Sequence, residues 1–220
     1  VKIHVFDTET ASLTKGICDI AIVQIDENFN TVWEIESLID PECEISPQAM
    51  GVHHITEEMV QFAPTIEEFM SMHRYPFADA DVFCGHNVPF DLRFTADYLP
   101  QMYKKIDTLK LARQAWPDAE DHKLQTLRYK FKLDAGTAHR AMGDVVATIN
   151  LMKLLAETFN TNLAGLIALN SAPLSMETRI SFGKHKGSKL KDIPITWVRW
   201  LLEKADNVDP DLREALSARI

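Results

Sequence analysis

Cysteine is scarce: Cys18, Cys43 and Cys84 are the three in 220 residues. They are far apart, odd in number and form no CxxC. That excludes a disulfide scaffold and a cysteine zinc site, and predicts reduced thiols. Cys18 and Cys84 lie inside apolar runs and read as small core residues. No apolar run approaches the roughly 20 residues of a membrane helix, and the first residues lack the charged–apolar–small order of a secretory leader. A cytoplasmic protein with no membrane partner is therefore expected. Repeats and low-complexity tracts are missing as well. A net positive balance is lacking too: 23 Lys and Arg stand against 32 Asp and Glu, a net charge of −9, the wrong sign for a chain that coats itself with phosphates.

What is present is apolar material, 46% of the residues, enough for a sizeable core in one domain plus an appendage. The charge is also uneven. Glu177–Lys204 holds seven Lys and Arg against three acids, a local +4. Uncompensated carboxylates elsewhere are what a metalloenzyme carries before its cations bind.

Apolar runs of strand length occupy Val1–Asp7, Ile17–Ile25 and Val32–Ile39, with a polar turn at Asp26–Asn30 between the last two. They predict an antiparallel meander. Ser46-Pro47, Thr56 and Thr65 each open a helix with a capping residue. Short strands are expected at Asp81–Cys84 and up to Ile106. Helices are expected at Phe90–Leu99, Leu124–Phe131 and Arg140–Phe159, the last being the longest. This order predicts an α/β fold, a mixed sheet flanked by helices. Asn170-Ser171-Ala172-Pro173 reads as a connection, dividing a larger unit over 1–165 from a small basic C-terminal module over 175–220.

Asp7 and Glu9 end the first strand. Side chains at i and i+2 of a strand share a face, so both carboxylates point the same way and repel unless a cation lies between them. A DxE pair alone is usually a solvated strand end; here it follows an apolar, buried-looking strand. A second element, Gly85-His86-Asn87-Val88-Pro89-Phe90-Asp91, follows a short strand. Asn87 suits an N-cap, Phe90 a core or stacking position, and Asp91 the first helical turn. The third is His139 with Asp144 at the head of the long helix. Five residues of helix turn through roughly 140°, so the two reach one site only if His139 lies on the preceding loop or a distorted first turn.

Four carboxylates without cysteine make a hard, oxygen-rich site that suits Mg²⁺ or Mn²⁺ better than Zn²⁺. Two such ions ~3.5–4 Å apart are the arrangement for in-line phosphodiester displacement. A neutral histidine is fitted to accept the proton of the attacking water.

Asp7-x-Glu9, His86-Asn87-x-x-Phe90-Asp91 and His139-x-x-x-x-Asp144 resemble, in order and separation, the three motifs of the DEDDh 3′→5′ exonuclease superfamily. The resemblance covers about Val1–Phe159, and His139 in place of a tyrosine places it in the DEDDh branch. It implies an RNase H-like core and hydrolysis to 5′-mononucleotides. It also implies two metal ions on Asp7, Glu9, Asp91 and Asp144, with His139 as general base. Substrate contacts are implied at Thr8, Leu13, His86, Asn87 and Phe90. The chain departs from the family at Thr10-Ala11-Ser12-Leu13, where a glycine usually follows the first motif. Asp107–Pro117, Phe182–Gly187 and Trp197-x-x-Trp200-Leu201 further resemble segments of a DNA-trimming member of the superfamily.

In the tail, Gly183 and Gly187 bracket Lys184-His185-Lys186, which reads either as a phosphate contact through Lys184 and Lys186 or as a tight basic turn. Trp197, Trp200 and Leu201, at i, i+3 and i+4, fit a core stripe better than a base-stacking platform. Three readings stay open: an exonuclease acting on single-stranded or duplex DNA 3′ ends, an RNA-trimming enzyme of the same chemistry, and a non-catalytic or polymerase-associated nucleic-acid module. Clustered acids argue against the third, because binding alone does not need them.

Overall fold

The structure, a computed structural model, describes residues 1–98, 103–205 and 208–220, with the side chains of 74–78 left aside. Its centre is a five-stranded mixed sheet in the order β3-β2-β1-β4-β5. Strands β1 (Ile3–Ser12), β2 (Lys15–Ile25) and β3 (Thr31–Leu38) form the expected antiparallel meander. Strands β4 (Val82–Gly85) and β5 (Lys104–Asp107) join β1 in parallel. The turn at Asp26–Asn30 is closed by the Asp26 carboxylate, which accepts from the N–H groups of Asn28 and Asn30.

The first strand runs further than its apolar residues suggest. It continues past the acids to Ser12, with a bulge where Glu9 faces Asp19 and Thr10 faces Ile17. A two-residue turn at Leu13-Thr14 leads back into β2. Gly16, the second residue of β2, has a positive φ (58°), and a Cβ there would meet Pro41 Cβ at 2.6 Å, so glycine is required at that position.

Between β3 and β4 lie α1 (Pro47–His53), α2 (Glu57–Val60) and α3 (Ile66–Ala78). Ser46 caps α1 through Ala49 N, and Thr65 with Glu68 forms a capping box on α3. Thr56 stands at the N-cap of α2 without a side-chain bond. His53 ties this segment to the sheet: its Nδ1 accepts from Ile55 N, so Nε2 carries the proton that faces Thr10 O.

Helix α4 (Val88–Thr95) passes into a 3-10 turn at Ala96–Tyr98; Leu99, the expected end of this helix, lies outside the described residues. Next come α5 (Thr108–Ala115), α6 (Leu124–Phe131), α7 (Ala141–Thr158) and α8 (Leu163–Ser171). Helix α7 is apolar on most of its circumference because it packs on β1 and β2 and against α5, α6 and α8. Leu151, Met152 and Leu155 are wholly buried there, each worth roughly 2–5 kcal/mol against truncation to alanine. A second apolar cluster on the other side of the sheet joins Phe6, Ile20 and Ile22 to Phe69, Phe83 and Val88.

Helices α9 (Ile195–Lys204) and α10 (Pro210–Ser217) close the chain around a separate cluster that includes Ile180, Leu190, Ile193, Val198, Leu201 and Leu216. The core stripe holds for Leu201 and for Trp197, which packs against that cluster, and is corrected at Trp200. Leu201 is buried, as is Val198 on the same helix; Trp197 is half-buried and Trp200 is 54% exposed. Two tryptophans three apart fix a face but not which neighbour covers it. Among the described residues no helix is long and apolar enough to cross a membrane.

Candidate active site

Asp7 and Glu9 sit on the central strand, where period-two alternation turns both to one side. Asp91 enters from the first turn of α4 and is 3% exposed. One of its oxygens, Oδ1, accepts from Thr8 N at 3.0 Å and Thr8 Oγ1 at 2.7 Å. Thr8, expected at the substrate, is therefore buried with its hydroxyl on Asp91, and orients that carboxylate. Asp144 enters from the first turn of α7, and its Oδ1 accepts from Gln125 Nε2 at 2.6 Å.

His139 stands outside α7 in a left-handed conformation (φ 55°). That is how it reaches the face of Asp144 despite five residues of separation. The loop before it is pressed onto the helix: a Cβ at Gly143 would lie 1.9 Å from Thr137 O, so glycine is required there. One ligand atom each from Glu9, His139 and Asp144 lies within 4.8 Å of the others. Asp7 and Asp91 stand outside that trio yet are felt by it electrostatically.

The electrostatics are those of acids forced together. Burial first, then repulsion from Asp91, Glu9, Asp144 and Asp19, holds the Asp7 carboxyl well above the usual carboxylate range. Glu9 is pushed up to about 8 by burial and by Asp144, Asp19 and Asp91. Burial lifts Asp91 to about 7 against the two Thr8 hydrogen bonds. It also raises Asp144, with His139 and Gln125 opposing. Such a cluster is stable near neutral pH only when protonated or when cations sit among the acids. A carboxylate donor set, with one imidazole beside it, fits hard divalent cations.

The other expected contacts divide. Leu13 stands 76% exposed on the β1–β2 turn, and Asn87 is exposed in a left-handed conformation (φ 73°). Asn87 occupies the N-cap position of α4 but makes no side-chain cap bond, so its amide is free for another partner. Phe90 is half-buried, with the Arg93 guanidinium 4.9 Å from its ring centre. His86 is taken up internally. Its Nε2 meets His122 O at 2.8 Å and its Nδ1 meets Thr108 Oγ1 at 2.9 Å. Burial lowers it to about 4, so it is neutral. The carbonyl can only accept, hence Nε2 carries the proton and Nδ1 accepts from the Thr108 hydroxyl. Lys184 and Lys186 are exposed on the turn bracketed by Gly183 (φ 67°) and Gly187 (φ 86°).

Sequence reasoning missed Asp19. It is 2% exposed, pairs in register with Glu9, and its Oδ2 accepts from Arg140 Nε at 2.8 Å and Ala141 N at 3.2 Å. The signal was there: an acid inside ICDIAIVQI, a run buried on both faces, must have a partner.

Residues 4–152 match the family model RNase_T, described as exonuclease. The chain belongs to this exonuclease family. Over 223 residues it is 32% identical to Exodeoxyribonuclease 10 of Escherichia coli strain K12, covering 97% of this chain and 96% of that protein. It is 30% identical over 179 residues to the DNA polymerase III PolC-type of Lacticaseibacillus paracasei, covering 76% of this chain and 12% of that protein. A solved structure of Exonuclease X in complex with 5′ overhanging duplex DNA superposes with a TM-score of 0.64 at 31% identity. The match covers 77% of this chain and 99% of that one. The fold is thus the RNase H-like exonuclease fold, as the motifs implied.

Proposed function

We propose that this exonuclease is a 3′→5′ exodeoxyribonuclease that releases 5′-mononucleotides, with Asp7, Glu9, Asp91 and Asp144 as ligands for two Mg²⁺ or Mn²⁺ ions. The observation that carries the reading is the convergence of four acids from three separate elements, with Glu9 raised to about 8 despite Arg140 nearby and Asp91 raised to about 7. The DNA specificity is supported by the near full-length similarity to Exodeoxyribonuclease 10. Held by Asp7, Glu9, Asp91 and Asp144, two divalent cations would supply Lewis acidity for phosphodiester displacement.

The chain's own groups do the rest. Thr8 and Gln125 hold the Asp91 and Asp144 carboxylates in fixed orientations. Leu13 packs against the terminal nucleotide and Asn87 directs its amide at it. His139 accepts the proton of the attacking water at an imidazole nitrogen. The new P–O bond forms as the P–O3′ bond breaks. The departing 3′-oxygen takes a proton from solvent, leaving a 5′-mononucleotide and a strand one residue shorter. Three free thiols suit the reducing cytosol. The division into an exonuclease domain over 1–165 and a basic module over 175–220 is part of the same proposal, supported by the separate apolar cluster of the tail.

The test is a side-by-side digestion of 5′-labelled DNA and RNA oligomers of one sequence. DNA should shorten stepwise from its 3′ end, stop in excess chelator, and resume with Mg²⁺ or Mn²⁺ but not Ca²⁺, whose longer bonds and looser coordination spoil two-ion spacing. Faster digestion of RNA would assign the RNA-trimming reading instead. Activity in excess chelator would remove the metal scheme.

A further inference from the structure

Between the sheet's helices and the C-terminal module lies a cleft of two connected lobes, of about 610 and 980 Å³. Both lobes are lined by Asn87 and Arg113 from the core side and by Arg179 and Phe182 from the module side. The module is held across it by ion pairs of Lys110 with Asp211 and of Arg179 with Asp118. The cleft therefore begins at the second motif of the candidate active site and leads away from it.

Its chemistry is that of an anion site. Arg113, on α5, has its Nε out of solvent with no hydrogen-bond partner, and its guanidinium makes no hydrogen bond or ion pair among the described residues. Arg113 is half-buried and lies near enough to the Asp107 carboxyl to oppose the upward pKa shift that burial causes there, but makes no hydrogen bond to it, so its guanidinium keeps donors that a strand phosphate can take. Six acids also line the cleft, Asp107, Asp118, Glu120, Asp121, Asp209 and Asp211, and all but Glu120 have a partner among the described residues. Asp107 accepts from the N–H groups of Asn87 and Leu109, Asp209 caps α10 through Leu212 N, and Asp211 is paired with Lys110. The Asp118–Arg179 pair, at 3.7 Å with Asp118 87% exposed, is weak enough for a phosphate to displace. Phe90 and Phe182, the latter 41% exposed, line the smaller lobe from its two sides together with Arg93. Aromatic faces interleaved with arginine are the pattern that holds unpaired bases and their phosphates. The volume suits one or two nucleotides, since drug-sized ligands fill about 300–1,000 Å³.

We propose that this cleft is a binding site for the substrate strand just upstream of its reacting end, with Arg113 and Arg179 clasping a backbone phosphate from opposite sides. The C-terminal module is then a clamp built by docking against the core, and not merely a basic patch. The inference rests on the reading of the chain as an exonuclease, and adds where its strand runs.

The test uses the full chain and a fluorescein-labelled single-stranded DNA 20-mer, with binding read by fluorescence anisotropy in excess chelator so that nothing is hydrolysed. Arg113→Gln and Arg179→Ala should each weaken binding about tenfold, the usual worth of a charge-assisted phosphate contact. Each should also lower the slope of log K against log salt by about one. The double variant should lose less than the product of the two, because both grip one phosphate. Unchanged affinity and slope in folded Arg179→Ala protein overturns the proposal. So does an effect at Arg179 with none in folded Arg113→Gln, which would place the phosphate on the module alone. Arg179 is more than a third exposed, so its variant decides the matter if Arg113→Gln does not fold. Chelated binding and metal-supported digestion are separate measurements. A wild type that binds through both arginines but digests nothing would refute the proposed function and leave the cleft assignment standing.

Discussion

Asp19 and Arg140, 121 positions apart, meet at 2.8 Å in front of helix α7. The same Asp19 oxygen accepts from Ala141 N, the first amide of that helix. Asp19 thus satisfies an N-terminal donor that would otherwise be orphaned, and fixes Arg140 between His139 on the loop and Asp144 on the helix. It lies outside the proposed ligand set, and through Arg140 and Ala141 it would position His139 and Asp144 on either side. Replacing it with asparagine keeps an acceptor but removes the charge. Turnover should fall about 10- to 100-fold, the cost of displacing a reacting group by roughly 1 Å, with KM little changed. A variant that melts earlier but keeps its kcat would make Asp19 purely structural.

Asp7→Ala should abolish hydrolysis and leave the fold intact. In chelator the variant should melt higher than the wild type, because the acid removed is one that its neighbours repel. Relief of about 1 kcal/mol would raise Tm by roughly 2–4 °C in a chain of this size. Metal-dependent cleavage by pure variant protein would remove Asp7 from the ligand set.

The stability of the metal-free protein should fall as pH rises. Glu9 and Asp91 have folded-state values of about 8 and about 7, above their unfolded ones, so the folded chain keeps protons that the unfolded chain has released. The slope is therefore negative from about pH 4.5 up to about pH 8, and the contribution levels off outside that window. Added Mg²⁺ should raise Tm more at pH 8 than at pH 5.5, since protons and cations compete for the same carboxylates. Melting curves across this range, with and without Mg²⁺, check both signs; a Mg²⁺ effect independent of pH would contradict them.

His139→Ala should reduce turnover by about 10²–10⁴, the usual worth of a positioned base, while the 3′ end still binds. Raising the pH should partly restore the variant, because hydroxide then replaces assisted water. The wild-type profile should contain an ionisation that the variant lacks. Identical profiles would mean that His139, close as it is to Glu9 and Asp144, is no base.

Lys184→Ala with Lys186→Ala should raise KM on duplex ends and flatten the salt dependence, since fewer counterions are released on binding. Both side chains are exposed on a turn closed by its own backbone bonds from Lys186 N to Gly183 O and from Gly187 N to Ile180 O, so the fold should not change. Collapse of kcat with an unchanged salt slope would refute a role limited to affinity.

Much of this molecule was legible from local rules. Alternation by two along β1 turned Asp7 and Glu9 to one side. The 3.6-residue period excluded His139 from the regular helix that carries Asp144, and it lies outside that helix at φ 55°. Capping residues marked the starts of α1 and α3. The element order called for a meander followed by alternating strands and helices in a mixed sheet, and the sheet is mixed, with β4 and β5 as its parallel part. These features depend on each residue's direction relative to its own element, and covalent geometry sets that direction wherever the element packs.

Other features depended on which elements meet. Thr8 turned out to orient Asp91, His86 to be engaged by Thr108 and His122, and Asp19 to face the start of α7. Trp200 reached solvent while Val198, two positions before it, was buried. The cleft carrying Arg113 and Arg179 exists only because the tail docks beside α5. Partners tens of residues apart are chosen by the burial of apolar faces against one another, a property of the assembled core and not of any segment. The sequence by itself determined the acids, their order and their strand or helix; the tertiary structure alone decided what orients them and where a strand can run.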